Sequence, residues 1–530
     1  MTGHGDDLTA GGTPQLEEPL TIARNVSTRY LAIAAEMIVG IGVLPFNVAH
    51  LGRSAYGLWM LTASITAYFS VLDLGYSGAL VKFVAQYRAR QDARALNEIL
   101  STMFFLFVGF GLVAYLAATV LAVSLGRLFH LSPDQTHIGR IVLLVTSVNV
   151  ACGIAFSVFG GVINGFQRYD LNNVVGAGSS IITGVVNVAV VMAGYGLVEL
   201  VVATTAVRVL TYWVYRANAY RVFPALRLRP ALVSRARLNE VTGFSIYMAL
   251  IDWANKLNYS VDALVIGAFL NTGSVAVWSV GQRLAETTQR LTNQLNEVLF
   301  PTIVDHDTSR RLGRLQRILL VGTRLSLAAV LAVGGTLWLM ADALVGAWVG
   351  PDFAGSVIIV RLLTLAVVVR VATSTSSTLL KAAGRHRLVA YTNILTAAAN
   401  LTLSIALVTH LELAGVALGT LVPVSLSAIF VTFPAGCRRV GIPVRTVLAR
   451  AVWPALWPMA ITWVYVDATR GLVGASLVAV AAEMAAAAAV YSATFLVFGA
   501  TAAERRFCVD RVRRLATRSR LTAGPISESI

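Results

Sequence analysis

The sequence predicts an all-α integral membrane protein with about fourteen transmembrane helices, on three observations. Of its 530 residues, 57% are hydrophobic and only 13% are charged, whereas a soluble domain carries roughly 25% charged residues. The mean hydropathy is +0.72. Apolar segments of about 20 residues, the length that crosses a bilayer, recur along the whole chain. The chain has too few charges to cover the surfaces of soluble domains, so its helices must face lipid.

The predicted spans follow one another with short connections. They are centred near residues 38, 68, 112, 152, 184, 206, 256, 288, 332, 367, 399, 425, 458 and 486. Thirty of the 42 Lys and Arg fall on one set of connections and the two tails, and the opposite set holds Arg53, Arg127, Arg140 and Arg470. Because cytoplasmic loops carry the basic excess, both termini are predicted to be cytoplasmic. The outer loops are short, so function must reside in the helix bundle.

An internal repeat divides the predicted bundle into two lobes. When the chain is aligned with itself so that LGRSAYGLW falls over LNTGSVAVW, Trp59 lies opposite Trp278, and the same offset places Gly165 opposite Gly384. Six helices per repeat keep both lobes parallel, related by a pseudo-twofold axis along the membrane normal. The predicted segments are a disordered cytoplasmic tail at 1–25, an N-lobe at 26–217, a basic inter-lobe linker at 218–240, a C-lobe at 241–438, two further helices at 449–499 and a basic cytoplasmic tail at 500–530.

Ionisable residues within the predicted spans are the candidate site residues, because a charge near the bilayer centre is costly and faces a partner or a water-filled cavity. Arg29 and Glu36 share a face of the first helix. Asp73 ends a polar stripe of the second helix, where it either caps or pairs near the cytoplasmic end or faces a cavity. Arg208, Arg324 and Arg361 either reach for the membrane interfaces or seal contacts between lobes.

The second lobe carries the densest polar pattern. In the seventh helix, Asp252 and Lys256 are one turn apart and can pair, while Asp262 lies off their face. In the eighth helix, several polar residues fall on one face, which predicts a hydrated cavity wall or a contact between lobes. They are Arg283, Glu286, Arg290, Asn293 and Glu297. Arg370 lies deep in the tenth helix.

These residues predict a cavity for an anionic cargo such as a pyrophosphate, because the planar fork of arginine can donate two hydrogen bonds to an oxyanion. The substrate-binding candidates are Arg29, Asp73, Lys256, Arg283, Arg290, Asn293 and Arg370. The candidates for a coupling proton or sodium ion are Glu36, Asp252, Asp262 and Glu286. Sequence alone does not separate these roles from pairing between lobes.

Several other classes of function are excluded or disfavoured. The sequence contains no GxxxxGK[ST] phosphate loop, no GxSxG and no HExxH, so no catalytic set and no cofactor are predicted. The three cysteines are far apart and predict neither disulfides nor a metal site. The basic residues lie in short clusters between spans, which disfavours nucleic acid as a partner. No cleaved signal peptide is apparent at the N-terminus.

Three segments of the chain resemble oligosaccharide flippases of the polysaccharide transporter family, the Wzx type. They are LDLGYSGALVKFVAQYRARQDARALNEILS, LNYSVDALVIGAFLNTGSVAVWSVGQRL and LLKAAGRHRLVAYTN. That family belongs to the MOP superfamily, with the MATE drug exporters and the lipid II flippase MurJ. The resemblance implies a MATE/MurJ-like fold in the bacterial inner membrane. It implies alternating access that moves an undecaprenyl-pyrophosphate-linked oligosaccharide to the outer leaflet, commonly with ion coupling.

The implied partners are the lipid-linked glycan, membrane lipids and the glycosyltransferases or polymerase of a lipopolysaccharide or exopolysaccharide pathway. Three alternatives stay open. A MATE-type drug exporter is disfavoured weakly by the balance of acids and cations and by the fourteen spans. A membrane polysaccharide polymerase or ligase is disfavoured by the short outer loops. A scaffold without transport leaves the charges of the eighth helix unexplained.

Overall fold

The computed structural model describes residues 17–73, 75–242, 261–309, 311–472, 474–502 and 504–506. In these ranges every regular element is a helix, as the apolar periodicity predicts. The chain divides into two compact units, Met1–Ala276 and Val277–Ile530. The boundary falls inside a helix, because the first turn of that helix packs with the earlier residues.

The helices of the first unit alternate with short turns. In chain order they are α1 (Glu17–Phe69), α2 (Tyr76–Ala89), α3 (Ala93–Leu128), α4 (Pro133–Gly165), α5 (Tyr169–Met192), α6 (Leu197–Val222) and α7 (261–269), with residues 235–242 also helical. The helix α1 begins at Glu17, before residue 25, where the N-terminal tail was predicted to end. The helix α8 (Thr272–Thr308) begins in the first unit and continues into the second.

The helix α1 contains two predicted spans, because its backbone breaks at Gly52 with φ 79° and ψ 163°. Only glycine adopts such a conformation at little cost, since it has no Cβ. The predicted spans near residues 38 and 68 therefore lie on either side of this break. A second break, at Glu412 with φ 48° in α14, separates the predicted spans near 399 and 425 in the same way.

The second unit repeats the alternation of long helices and short turns. Its remaining helices are α9 (Leu312–Val330), α10 (Thr336–Leu339), α11 (Ala341–Val349), α12 (Ser356–Ala372), α13 (Ser374–Ala382), α14 (His386–Ser427), α15 (Phe433–Val440), α16 (Val444–Val447), α17 (Trp453–Leu456), α18 (Pro458–Thr469) and α19 (Leu477–Thr494). Several of these are joined by short π-helical turns, so that α9–α10 and α14–α15 continue one another.

Nine helices in the described ranges are long and apolar enough to cross a membrane, or ten if the bent pair α12–α13 is one span. Two of the nine contain the breaks at Gly52 and Glu412. The predicted span near residue 288 is the polar helix α8, which is not among the nine. The count of fourteen stays a prediction, because the span centred near residue 256 lies outside the described residues.

The backbone of the two units supports the predicted repeat. The helices α3 and α9 begin at Ala93 and Leu312, which are equivalent positions in the alignment that places Trp59 opposite Trp278. Residues of positive φ follow corresponding helices at nearly equivalent positions of the same alignment. These pairs are His130 with Gly350, Gln167 with Gly384, and Gly194 with Glu412. The turns thus recur at nearly the offset that the sequence gives for the helices, while the symmetry axis itself stays a prediction.

The start of α8 belongs to the first unit because hydrogen bonds and a close backbone approach hold it there. The Nε2 atom of Gln135 donates to Ser54 Oγ at 2.7 Å, and Ser54 Oγ lies 3.3 Å from Thr272 Oγ1. A Cβ added at Gly57 would overlap the carbonyl of Thr272, so only glycine permits this approach. These contacts tie α1, α4 and the α7–α8 junction together.

Candidate functional site

A polar ladder runs along α8 at one-turn spacing. Its first member, Trp278, is 0% exposed, and its indole Nε1 donates to Gln282 Oε1 at 2.8 Å. The Nε2 atom of Gln282 donates to Glu286 Oε1 at 2.8 Å. The other oxygen of Glu286 lies 3.9 Å from Arg290 Nη2. Residues four apart face one side of a helix, so the i, i+4 spacing of these residues produces the ladder.

The direction of the ladder is fixed by chemistry. Tryptophan has only a donor, so it orients the amide of Gln282 with its oxygen toward the indole and its nitrogen toward the carboxylate. The side chains become more exposed along the ladder, from Trp278 to Glu286 at 30% and Arg290 at 59%. The accessible end therefore presents a guanidinium whose distance from the carboxylate leaves its donors available to a ligand.

The opposite face of α8 is buried in the second unit. Leu284, Thr288 and Thr292 are all buried, and each threonine hydroxyl donates to a carbonyl of its own helix. Self-bonded threonines place no unsatisfied group in the helix packing. One face of α8 thus packs, and the ladder face carries the polar groups.

The first repeat does not contain this ladder. In the alignment that places Trp59 opposite Trp278, Gln282, Glu286 and Arg290 correspond to Ala63, Ala67 and Val71. At the same place in the repeat, the end of α1 and the 3₁₀ turn after it are therefore built without polar groups at these positions. The ladder is consequently not required to form the helix, which favours a functional role over a packing role.

Of the other predicted residues in the second unit, Arg283 is half-buried on α8, one position from the ladder. Arg370 is half-buried near the end of α12, just before the 43° bend between α12 and α13. The side chains of Asn293 and Glu297 lie outside the described residues, as do Asp252 and Lys256. Their predicted roles remain predictions.

In the first unit, polar groups from four helices meet. Arg208 on α6 and Glu36 on α1 both lie near the Tyr215 hydroxyl, which donates to the carbonyl of Asn172 at 3.4 Å. The side chain of Asn172 donates to Asn164 Oδ1 on α4 at 2.7 Å. Glu36 is exposed on α1 and lies near this polar cluster of α4, α5 and α6. Arg29 is exposed on α1.

Asp262 is 4% exposed on α7 and lies near the Tyr68 phenol of α1. A carboxylate buried this deeply must be compensated or protonated, because an isolated charge in an apolar interior is costly. Among the coupling-ion candidates whose side chains are described, it is the most buried. Its burial keeps it a candidate for the coupling ion.

Asp73 receives a hydrogen bond at the first turn of α2. It lies in the 3₁₀ turn Ser70–Asp73, and its Oδ1 accepts from the backbone N–H of Ser77 at 3.2 Å. A carboxylate at a helix start satisfies an orphan donor and complements the helix dipole. The structure supports the capping role of this residue. Two members of the polar stripe predicted before it, Thr62 and Thr66, are buried and donate to carbonyls of their own helix, so the stripe stays a prediction.

We expect Asp73→Asn to retain transport within about twofold, because an amide oxygen also accepts at a helix start. Asp73→Ala is expected to cost about 1 kcal/mol of stability. Both variants are measured by thermal unfolding in detergent and by transport in proteoliposomes. Loss of transport in Asp73→Asn at unchanged stability would show instead that the charge itself acts in the transport cycle.

An apolar pocket with a volume of about 400 Å³ lies in the second unit, between the α9–α10 region, α12 and α17–α18. Its lining is almost wholly apolar and includes two indoles. The lining residues are Leu331, Gly334, Gly335, Trp338, Leu339, Thr364, Leu365, Val368, Leu456, Met459, Ala460 and Trp463. A Cβ at Gly335 would collide with the Met459 side chain, and one at Gly334 would contact Thr288 and Thr364 tightly. The pocket suits a hydrocarbon chain.

The sequence did not identify one member of the ladder and one buried ion pair. Gln282 lies between Trp278 and Glu286 at i, i+4 spacing, which was a readable signal. Glu504, in the predicted basic tail, pairs with Arg324 Nη2 at 2.8 Å. No signal in the sequence indicated that pairing. Arg361 pairs with Asp342 at 3.0 Å and stacks on Trp338, so it closes a contact within the second unit.

Comparison with known proteins identifies relatives in sequence. The family model described as "Polysaccharide biosynthesis protein" matches residues 22–306. A curated relative, "Probable flippase AglR" of Haloferax volcanii, is 24% identical over 420 residues, which cover 77% of this chain and 82% of that protein.

Solved structures of similar fold include the lipid II flippase MurJ in an inward closed conformation. It has a TM-score of 0.70 at 13% identity, covering 90% of this chain and 98% of that one. An inward-facing multidrug resistance MATE family transporter of the MOP superfamily has a TM-score of 0.66 at 15% identity, covering 77% and 94%. These identities show the fold alone, and they confirm the predicted MATE/MurJ-like architecture.

Proposed function

The chain belongs to the polysaccharide biosynthesis protein family, and on that premise we propose that it is a flippase for lipid-linked oligosaccharide. It is a multi-pass membrane protein and, like its transporter relatives, not an enzyme. The proposed cargo is an undecaprenyl-pyrophosphate-linked glycan, moved from the inner to the outer leaflet by alternating access. The relative named as a probable flippase supports the reaction class.

The observation that carries the proposal is the ladder on α8. It ends in Arg290, which is 59% exposed and lies 3.9 Å from Glu286, so its fork is held near a carboxylate without being saturated by it. A guanidinium in this state can exchange its weak partner for a pyrophosphate oxygen. Arg283 and Arg370 are the further cations of the same unit proposed for the headgroup.

The apolar pocket supports a cargo with a hydrocarbon tail. A volume of about 400 Å³ lined by side chains such as Trp338, Met459 and Trp463 can bury several isoprene units. Burial of each methylene contributes about 0.8 kcal/mol. We propose that this pocket holds part of the undecaprenyl chain while the sugar remains in a polar environment.

Coupling to a proton or sodium ion is assigned to the carboxylates. Asp262, Glu36 and Glu286 each lie among groups whose charge or hydrogen bonding changes if the carboxylate binds a cation. Asp252 is retained from the sequence. The basic excess of the connections favours a bacterial inner membrane location with both termini cytoplasmic. The glycosyltransferases or polymerase of the same pathway are the proposed protein partners.

A cation-coupled drug exporter of the MATE type is the second candidate, favoured by the similarity to a multidrug transporter. The two functions differ in cargo charge. Purified protein in proteoliposomes is therefore tested with a fluorescent undecaprenyl-pyrophosphate oligosaccharide and with a cationic dye, each under an imposed proton or sodium gradient. We expect movement of the lipid-linked sugar. Transport of the dye without movement of the lipid-linked sugar would show that the protein is a drug exporter and not a flippase.

The tail pocket makes a separate prediction. Ala460→Phe is expected to slow flipping of the undecaprenyl substrate by about fivefold or more, because each methylene displaced forfeits about 0.8 kcal/mol. A short-chain analogue is expected to be flipped at the wild-type rate. Ile461→Phe, at an exposed neighbour outside the pocket, is the matched control. Equal slowing of both substrates would show that the pocket does not bind the undecaprenyl tail.

A further inference from the structure

The basic segment after α6, residues 225–235, packs against the first unit and is called the linker strip below. In residues 225–229 the side chains alternate, with Leu226 buried and Leu228 half-buried, whereas Arg227 and Arg229 are exposed. Both leucines pack against the hydrophobic core that α2, α3 and α4 form in the first unit. Strand-like alternation of this kind places one face of an extended segment on a core and turns the other outward.

Side chains of α3 bind the backbone of this strip. Asn97 donates from Nδ2 to the carbonyl of Ala225 at 3.0 Å and accepts from the N–H of Arg227 at 2.7 Å. Ser101 donates to the carbonyl of Arg227 at 3.1 Å and accepts from the N–H of Arg229 at 3.2 Å. Asn97 and Ser101 are buried, so these four bonds are shielded from water.

A second set of contacts fixes the end of the segment. Arg237 donates to Glu98 at 3.3 Å and to the Tyr87 hydroxyl at 2.7 Å, and its guanidinium lies 5.0 Å from the Tyr87 ring centroid. The Tyr87 hydroxyl donates to Glu240 at 2.8 Å. Burial and the hydrogen bond to Glu240 raise the pKa of the Tyr87 phenol, which is consistent with its role as the donor. The guanidinium of Arg237 is therefore bonded to side chains of the protein itself.

The arginines that remain outward are held in fixed places. Arg227, Arg229 and Arg235 are exposed, and the apolar side chain of Val233 is exposed between them. The strip lies beside the first turns of α3 and follows the end of α6, at an end of the membrane-spanning helices. An apolar side chain among cations at that level fits the boundary between headgroups and acyl chains.

We propose that residues 225–235, the linker strip, form a binding site for anionic phospholipid headgroups of the adjacent leaflet, the cytoplasmic leaflet in the proposed orientation. The guanidinium forks of Arg227 and Arg229 bind headgroup phosphates, and Val233 contacts the acyl region. Because α3 holds the backbone, the charges are already in position and little ordering cost is incurred when lipid binds. The strip would anchor the first unit to its leaflet.

The test measures phosphatidylglycerol and phosphatidylcholine bound to the purified full chain by native mass spectrometry. Arg227→Gln with Arg229→Gln is expected to lower the preference for phosphatidylglycerol by about 25-fold, since each of the two arginines near an anionic surface is worth roughly fivefold. Arg445→Gln with Arg450→Gln removes the same charge from exposed positions of the second unit and is expected to lower the preference clearly less. Equal losses in the two double variants, or no loss in either, overturn the proposal.

A third variant tests whether the lipid preference depends on the fixed positions of the arginines or only on their charge. Asn97→Ala with Ser101→Ala retains every arginine residue but removes the four hydrogen bonds that hold the strip in position. A preference for phosphatidylglycerol severalfold below that of wild type is expected. Wild-type preference in this variant contradicts the fixed geometry. If the double variant does not fold, Ser101→Ala alone is measured in the same way, with thermal unfolding recorded for each protein.

Discussion

Arg290→Ala is expected to lower the initial rate of lipid-linked oligosaccharide flipping by about tenfold to a hundredfold. Loss of a hydrogen bond to a charged group costs about 1.5–3 kcal/mol, and each 1.4 kcal/mol is a factor of ten. The guanidinium is exposed at the end of the ladder, so its removal should leave the fold intact. The rate is measured in proteoliposomes as the fraction of fluorescent substrate that reaches the outer surface with time.

Two further variants distinguish charge from geometry. Arg290→Lys keeps the charge without the planar fork and is expected to recover only part of the rate. Gln282→Leu removes the link between Trp278 and Glu286 and is expected to slow flipping less than Arg290→Ala. Arg317→Ala, at an exposed arginine near the start of α9, is the matched control. If Arg290→Ala flips the substrate at the wild-type rate, the ladder has only a structural role.

The ion pair between Arg324 and Glu504 predicts the largest stability effect. Both side chains are nearly buried, at 10% and 8% exposure, and Arg324 Nη2 lies 2.8 Å from Glu504 Oε1. The other carboxylate oxygen of Glu504 accepts from the N–H of Thr501, so this residue also caps the segment after α19. Breaking a buried pair leaves an uncompensated charge and costs about 3–5 kcal/mol. Glu504→Leu should therefore lower the thermal unfolding temperature strongly.

The double variant Arg324→Met with Glu504→Leu is expected to recover most of that loss, because apolar residues of similar volume can replace a buried pair. The four proteins of this cycle are compared by thermal unfolding in the same detergent. Arg361→Met breaks the more exposed pair with Asp342 and is expected to cost less than about 1 kcal/mol. Additive losses in the double variant would show that the two buried residues do not stabilise each other.

The sequence predicted the helices well because long apolar segments have few alternatives in a bilayer. Thirteen of the fourteen predicted centres lie on described helical residues, and the remaining one, near 256, lies outside them. The sequence did not reveal that the paired spans of α1 and of α14 are separated by single non-helical residues, Gly52 and Glu412, because periodicity does not record backbone dihedrals. The linker strip after α6 was predicted only as a basic linker, because the α3 side chains that bind its backbone, Asn97 and Ser101, are distant in sequence.

The candidate site was predicted less completely. The face of Glu286 and Arg290 followed from i, i+4 spacing, and their weak contact agrees with it. The burial of Trp278 and the orientation of Gln282 depend on packing, which a single sequence does not contain. Glu504 lies in the segment predicted as a basic cytoplasmic tail, yet its partner is Arg324, 180 residues earlier. Pairing over such distances is set by the tertiary fold.

The most direct test of the account compares two substrates of equal tail and sugar, one linked by pyrophosphate and one by an uncharged linker. Wild-type protein and Arg290→Ala are reconstituted at equal density, and the initial flipping rates of both substrates are measured. We predict that wild type prefers the pyrophosphate substrate by at least about tenfold and that Arg290→Ala removes most of this preference. Equal rates for both substrates in wild type would contradict recognition of the pyrophosphate by the arginines of the second unit.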